Sequence, residues 1–357
     1  MKKKHFLATL LAATVLSTGA VNAAYDSCDS CYDPCEMDSC FGGFEIGADF
    51  LYWKLCLDDL NYSTSYQTNF TPASTGTLLF DQSGTNNYLC SDWKPGFRVF
   101  LAKDNVFCDW DLIASYAWIN HCNSSSSSVT ENGVLQPTLI HPNALLAPAG
   151  DSGVASVSAS LDVTYQTFDV LFASDYCFRQ CHNFKPFFGV TGVFLDQDFN
   201  SSWEKNDADE NSEGTTKWSG EYSGYGLKMG TEYSLSICDG FSMYANASGS
   251  ITVGDQSSSV AFAKTDNDAN TSWQAAIKEE ECVFVPGYNI GVGFQYDSCL
   301  CDMEYSARLG YEFVQLHNVN NQRHYNSGEV SEFSSSSSST LATLGYHGIN
   351  VGVSVTF

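Results

Sequence analysis

Beyond its first two dozen residues the sequence has no continuous apolar run of transmembrane-helix length, which excludes a helical membrane protein. Positive charge is scarce: 16 Lys and Arg stand against 41 Asp and Glu, for a net charge of −25. Such a chain repels nucleic acid, so no nucleic-acid partner is expected. Proline is rare, 8 in 357 residues, which leaves room for long uninterrupted strands. Recognisable chemistry is missing too. No HExxH, nucleophile elbow or phosphate-binding glycine loop occurs, and the histidines are scattered at His5, His121, His141, His182, His317, His324 and His347. The expectation is a protein that is no enzyme and carries no cofactor.

The N-terminus is where apolar residues do gather. Lys2, Lys3 and Lys4 precede an apolar stretch from Phe6 to Leu16 and a small-residue site at Val21-Asn22-Ala23. This is the layout of a secretory signal peptide cleaved after Ala23, and roughly 11 apolar residues are too few to cross a ~30 Å hydrocarbon core as a helix. The expected organisation is a signal peptide at 1–23, a Cys-rich segment at 24–43 and a β domain at 44–357. All 14 cysteines lie behind the leader, which argues for disulfides formed in an oxidising envelope. The spacing of Cys28, Cys31, Cys35 and Cys40 also suits zinc thiolates, but the second half of a CxxC…CxxC site is absent.

The dominant pattern in the rest is period two. In the stretch from Phe241, the residues Phe241, Met243, Ala245, Ala247, Ile251 and Val253 share one face against Ser242, Tyr244, Asn246, Ser248, Ser250 and Thr252. The last segment sets Ile349, Val351, Val353, Val355 and Phe357 against Gly348, Asn350, Gly352, Ser354 and Thr356. Eight more segments alternate, near 44–52, 97–101, 110–118, 161–176, 185–197, 225–233, 288–296 and 303–313. Two are untidy. Leu161, Val163 and Tyr165 share a parity that later reaches Asp169, which a bulge near Gln166 would correct. In the segment from Lys185 both faces are partly apolar, and the pattern does not choose between them.

Alternation alone fits a soluble sandwich as well as a membrane barrel, but the linkers separate the two. They run alternately long (about 55–92, 120–160, 200–217, 255–284 and 315–344) and short (about 103–107, 177–183, 236–240 and 298–301). Long loops on one side and tight turns on the other are the signature of an outer-membrane barrel. Aromatics gather at strand ends, among them Tyr52, Trp53, Trp118, Tyr176, Tyr288, Tyr296 and Tyr311, as interfacial girdles require. The fold expected is therefore all-β: a transmembrane, antiparallel, up-and-down β-barrel with long extracellular loops and short periplasmic turns. Ten strands are visible, and twelve or more follow if loops 1, 2 or 4 contain further hairpins.

The stretches FEIGADFLYWK, FKPFFGVTGVFLDQDF, GYEFVQL and LGYHGINVGVSVTF, in that order and spacing, resemble the pore-forming major outer membrane proteins of Legionella and Chlamydia-like bacteria. The resemblance implies an abundant porin passing small hydrophilic solutes, with neighbours in outer-membrane lipid and lipopolysaccharide. A closed-lumen structural or adhesin-type barrel remains the alternative. Phe357, closing an alternating strand, resembles the assembly signal read by the barrel-insertion machinery. The expected lumen-lining residues are Asp49, Arg98, Asp109, Asp111, Lys228, Glu232, Glu304, Arg308 and Glu312, whose acidic excess favours cations. With periplasmic turns, Cys28, Cys31, Cys35, Cys40, Cys108, Cys177, Cys181, Cys238, Cys299 and Cys301 fall at the periplasmic end, and Cys56, Cys90, Cys122 and Cys282 at the outer end. The inner group would link the chain to copies of itself or to Cys-rich envelope proteins, or else pair internally. The acidic stretch from Asp207 to Glu213 reads as a solvated loop.

Overall fold

The computed structural model describes residues 43–57, 61–68, 82–89, 91–107, 110–129, 133–138, 153–178, 181–206, 211–238, 240–268, 270–300, 303–326 and 336–357. The leader, Cys28, Cys31, Cys35, Cys40, Cys90, Cys108, Asp109 and Cys301 lie outside them. The strands are β1 (Phe44–Leu57), β2 (Asn61–Thr68), β3 (Gln82–Tyr88), β4 (Trp93–Phe107), β5 (Trp110–Ser128), β6 (Gly133–Pro137) and β7 (Ser156–Ala173). They continue with β8 (Tyr176–Cys177), β9 (His182–Asn206), β10 (Asn211–Cys238), β11 (Phe241–Asp266), β12 (Thr271–Leu300), β13 (Met303–Asn326) and β14 (Ser336–Thr356).

Among the described strands, ten form a closed antiparallel ring in the order β1, β4, β5, β7, β9, β10, β11, β12, β13, β14. These are the ten alternating segments of the sequence. Closure is made by β1 on β14, in register from Glu45 opposite Thr356 to Leu57 opposite Leu344. Phe44 and Phe357 lock its end: each backbone N–H donates to the other's carbonyl at 2.9 Å, and their rings stack at 6.4 Å. A closed ring leaves no unpaired edge, the condition for a sheet to stand in lipid.

The start of β1, the end of β14 and the connections after β4, β7, β10 and β12 share one end of the barrel, the turn end, and the connections after β1, β5, β9, β11 and β13 share the other, the loop end. Strands at the loop end overrun any bilayer. β12 is 30 residues long and β10 is 28, whereas ~9–11 tilted residues cross the hydrocarbon. The expected long loops at 200–217 and 255–284 are thus mostly strand.

Polarity inverts along each long strand. Toward the turn end, outward Phe188, Val190, Leu227, Met229, Ile251, Val253, Val292 and Phe294 are exposed, while inward Thr191, Ser242 and Thr252 are buried. Toward the loop end the outward positions become Asp196, Asp198, Glu221, Asp255 and Glu280, and the inward ones Leu195, Phe199, Trp218, Tyr222 and Val260. The change follows one line of cross-strand partners along this wall, from Phe194 through Ser223 and Asp255 to Cys282. Below it the outer face is solvated by lipid; above it the barrel is apolar inside and polar outside, like a soluble protein.

This inversion corrects two expectations. There is no bulge near Gln166: β7 pairs without a register shift with both neighbours. Leu161, Val163 and Tyr165 face inward above the lipid belt, and Asp169 faces inward within it. The segment from Lys185 looks apolar on both faces because Phe188 and Val190 meet lipid while Val193 and Leu195 fill the interior. Loops 1 and 2 do contain strands, yet these add no stave to the ring. β2, β3 and β6 form a separate sheet in the order β3-β2-β6. It packs Tyr62, Leu89 and Leu135 onto the interior core, and the Tyr62 hydroxyl bonds Ser125 and Ser127 of β5 at 3.1 and 2.6 Å.

Position relative to the belt decides the cost of an outward charge. Ala247→Arg, mid-belt on β11, should destabilise the barrel by about 2–4 kcal/mol. Ser257→Arg, on the same face but above the belt, should cost under about 1 kcal/mol. Urea unfolding in lipid vesicles measures both, and equal costs would remove the proposed boundary.

Candidate functional site

The lumen is the one space enclosed by all ten ring strands, and its contents divide at the same level as its walls. In the lipid-spanning half the inward residues are charged and face one another. Arg98 on β4 reaches across β1 and β14 to Glu312 on β13 through a two-pronged ion pair, Nη1 to Oε1 at 3.0 Å and Nη2 to Oε2 at 2.7 Å. The same guanidinium bonds Asp49 of β1 at 3.1 Å. Asn350 of β14 donates Nδ2 to Glu312 Oε1 at 3.0 Å. Glu312 retains only 3 % of its side-chain exposure, so its charge is matched inside the barrel and hardly by solvent.

Three further cations bridge strands that are not neighbours. Lys228 of β10 meets Asp169 of β7 at 2.7 Å, and Arg308 of β13 meets Glu232 of β10 at 3.3 Å. Lys185 of β9 meets Asp111 of β5 at 3.0 Å and Asp175 at 2.8 Å. Arg308 also lies over the Tyr244 ring, 5.4 Å from its centroid, and Arg98 lies 5.9 Å from that of Trp53. Glycines on the inward face make room for this network. A Cβ at Gly352 would overlap the Asp49 carboxylate, and one at Gly310 would overlap the Tyr244 hydroxyl. Only glycine admits such close approach.

Above the charged layer an apolar layer crosses the barrel. Tyr346 of β14 packs against Trp53 of β1 at 6.0 Å, His121 of β5 at 5.2 Å and Tyr165 of β7 at 5.2 Å. Leu51, Ile119, Val163, Leu195 and Val285 around them have no exposed surface. His121 is held by the Trp53 carbonyl at 3.0 Å. On the far side β13 is bent inward. Its pairing with β14 shifts between Leu316 and Asn320, and Asn318 takes a left-handed φ of 66°. The Val319 carbonyl there accepts Nε2 of Gln197 at 3.1 Å and of Gln256 at 3.2 Å.

Of the lumen candidates named from sequence, Asp49, Arg98, Asp111, Lys228, Glu232, Arg308 and Glu312 come together in this network. Glu304 takes inward parity near the turn end, where Asp297 lies on the neighbouring strand, and Asp109 lies outside the described residues. Sequence reasoning missed Lys185, Asp169, Tyr244 and Asn350 as its partners. Lys185 and Asp169 sit in the two segments whose parity was ambiguous; Asn350 was visible as an inward residue but carries no charge.

Of the described cysteines, Cys177, Cys181, Cys238 and Cys299 lie at the turn end and Cys56, Cys122 and Cys282 toward the loop end. Cys122 and Cys282 are free, exposed thiols on β5 and β12. Both point outward from strands that are not neighbours, so they do not form a pair with each other.

A buried ion pair resists loss of one partner more than loss of all. Arg98→Met should destabilise the barrel by about 3–5 kcal/mol by stranding Asp49 and Glu312. The triple variant with Asp49→Asn and Glu312→Gln should recover most of that loss in denaturant titrations.

The comparisons with solved structures find outer-membrane barrels at low identity. The outer membrane protease OmpT from Escherichia coli is 8 % identical, with 88 % of this chain and 96 % of that chain covered and a TM-score of 0.35. The attachment invasion locus protein Ail of Yersinia pestis is 10 % identical, covering 89 % and 99 %, at a TM-score of 0.22. A Pseudomonas aeruginosa FadL homologue is 9 % identical, covering 89 % and 90 %, at 0.23. Among curated protein sequences none matches. The family model described as Legionella pneumophila major outer membrane protein precursor matches residues 33–357. With the closed ring of strands, that match over most of its length means the chain is an outer-membrane β-barrel and belongs to the Legionella major outer membrane protein family.

Proposed function

We propose that this chain is a surface-exposed structural barrel of the outer membrane whose lumen is shut. The observation that carries the reading is the bridge from Arg98 to Glu312 across the interior, beneath a layer in which Leu51, Ile119 and Leu195 have no exposed surface. A ring of ten strands is narrow enough for facing side chains to meet, and here charged and apolar layers both do so. Its long strands then serve to project a polar wall and a small capping sheet beyond the bilayer. Cys28, Cys31, Cys35 and Cys40, ahead of β1 in the sequence, would tie the barrel to other envelope proteins.

Passive diffusion of small hydrophilic solutes is the second reading. The polar inner half of the lumen and the resemblance to pore-forming proteins favour it. Planar-bilayer recording of the refolded protein separates the two. The closed reading expects insertion without steady conductance, reduced or oxidised. Steady, cation-preferring steps that lose selectivity in Glu304→Gln and Glu312→Gln variants would establish the porin instead.

The covalent role has its own test. Thiol-blocked envelopes run without reductant should show a ladder of cross-linked species that collapses on reduction. Replacing Cys28, Cys31, Cys35 and Cys40 together should remove most of it and leave the barrel folded. A monomer without reductant would mean that the cysteines are internal staples.

A further inference from the structure

Charge on the outer wall is distributed unevenly. Above the lipid belt, β7, β9, β10, β11 and β12 present Asp162, Asp196, Asp198, Glu221, Asp255 and Glu280. On the opposite wall, at the upper edge of the belt, Lys54 of β1 stands directly opposite His347 of β14. Direct cross-strand partners have Cβ atoms about 4.5–5.5 Å apart, so both side chains address one point in space. Among the described residues no carboxylate pairs with Lys54. In a chain of net charge −25 an outward cation without a carboxylate partner offers an anion a counter-charge.

Aromatic rings frame the pair. Trp93, the partner of Lys54 on β4, stacks on Tyr52 at 5.6 Å and meets the His347 ring edge-on at 5.6 Å. The Tyr311 hydroxyl bonds His347 Nδ1, which leaves Nε2 for an outside partner. Tyr and Trp at this level mark the headgroup region of a bilayer.

A second observation lies directly below. The outward face of β14, β1, β4, β5 and β7 has an apolar groove of about 550 Å³, bounded by Val353, Val99 and Phe168 and floored by Ala48 and Ala114. From Lys54 to Ala48 the strand descends six residues, or ~20 Å. With a strand tilt of ~40° that is ~15 Å of depth, half of a ~30 Å hydrocarbon core. The groove therefore sits where the tail of an outer-leaflet lipid ends if its headgroup lies at Lys54.

We propose that this wall binds one phosphorylated outer-leaflet lipid, with its phosphate between Lys54 Nζ and His347 Nε2 and an acyl chain in the groove over Ala48. The phosphate answers the unpaired cation and the imidazole donor, the rings pack on the headgroup, and the alanines admit the tail. The site lies on the outside of the barrel and is independent of whether the lumen is open.

The test uses the full-length protein in phosphatidylcholine nanodiscs doped with bisphosphorylated lipid A, with retained lipid counted by native mass spectrometry. One lipid A should stay with the wild type, and retention should fall at least tenfold in the Lys54→Gln/His347→Gln double variant. Lys54→Arg should keep it. Ala48→Phe, which fills the groove, should weaken it without changing the preference for phosphate. Glu280→Gln on the opposite wall should leave it unchanged. Equal retention by the double variant, or equal retention of dephosphorylated lipid A, would overturn the proposal. So would cysteine cross-linking at position 48 that yields dimers in discs without lipid A, because a second copy would then occupy the face.

Discussion

Within hydrocarbon a backbone amide has no water to bond, so every strand crossing the belt must be paired on both sides. The pairing of β1 with β14 is the contact on which the rest depends. It turns a meander of hairpins into a ring, and it places Phe44 beside Phe357, residues that begin and end the described barrel. It also brings Asp49, Glu312 and Asn350 within reach of Arg98, although more than two hundred residues separate Arg98 from Glu312.

Closure alone does not account for the interior. The staves are far longer than a bilayer needs, and each passes through two solvents of opposite polarity. In the belt the apolar face turns outward because lipid accepts it, and the inward residues must satisfy one another across the lumen. Beyond the belt water surrounds the wall, and the apolar face turns inward. β9 does this without a bulge, paired in unbroken register with both neighbours. Leu195 and Thr191 share one face of β9, and only the composition of that face changes with height.

The consequence is an interior bridged in two ways. Paired charges occupy the membrane layer, where each unpartnered ion would cost several kcal/mol, and an aromatic and aliphatic core occupies the layer above. Inward glycines such as Gly352 and Gly310 matter for the first, since the larger polar side chains would otherwise have no space. The β2, β3 and β6 sheet belongs to the second, because Tyr62 and Leu135 extend the core toward the outer mouth. The outer wall has its own division, acidic along one side and carrying Lys54 and His347 on the other.

Period-two alternation, long and short linkers in turn, and the terminal strand were enough to identify the class of fold and all ten staves, because pleat and turn length are local properties written in consecutive residues. The inward parity of Asp49, Arg98, Lys228 and Glu312 was legible for the same reason. Partnership was not. Which acid meets Arg98 depends on strands two positions away around a ring, and ring order and stagger are set only on closure. The height at which lipid gives way to water was hidden as well, so Leu161, Val163 and Tyr165 read as out of phase. Their alternation is regular; the solvent outside them is what changes. Likewise the meeting of facing side chains across the interior follows from the distance across ten tilted strands, a dimension that exists only in the assembled barrel.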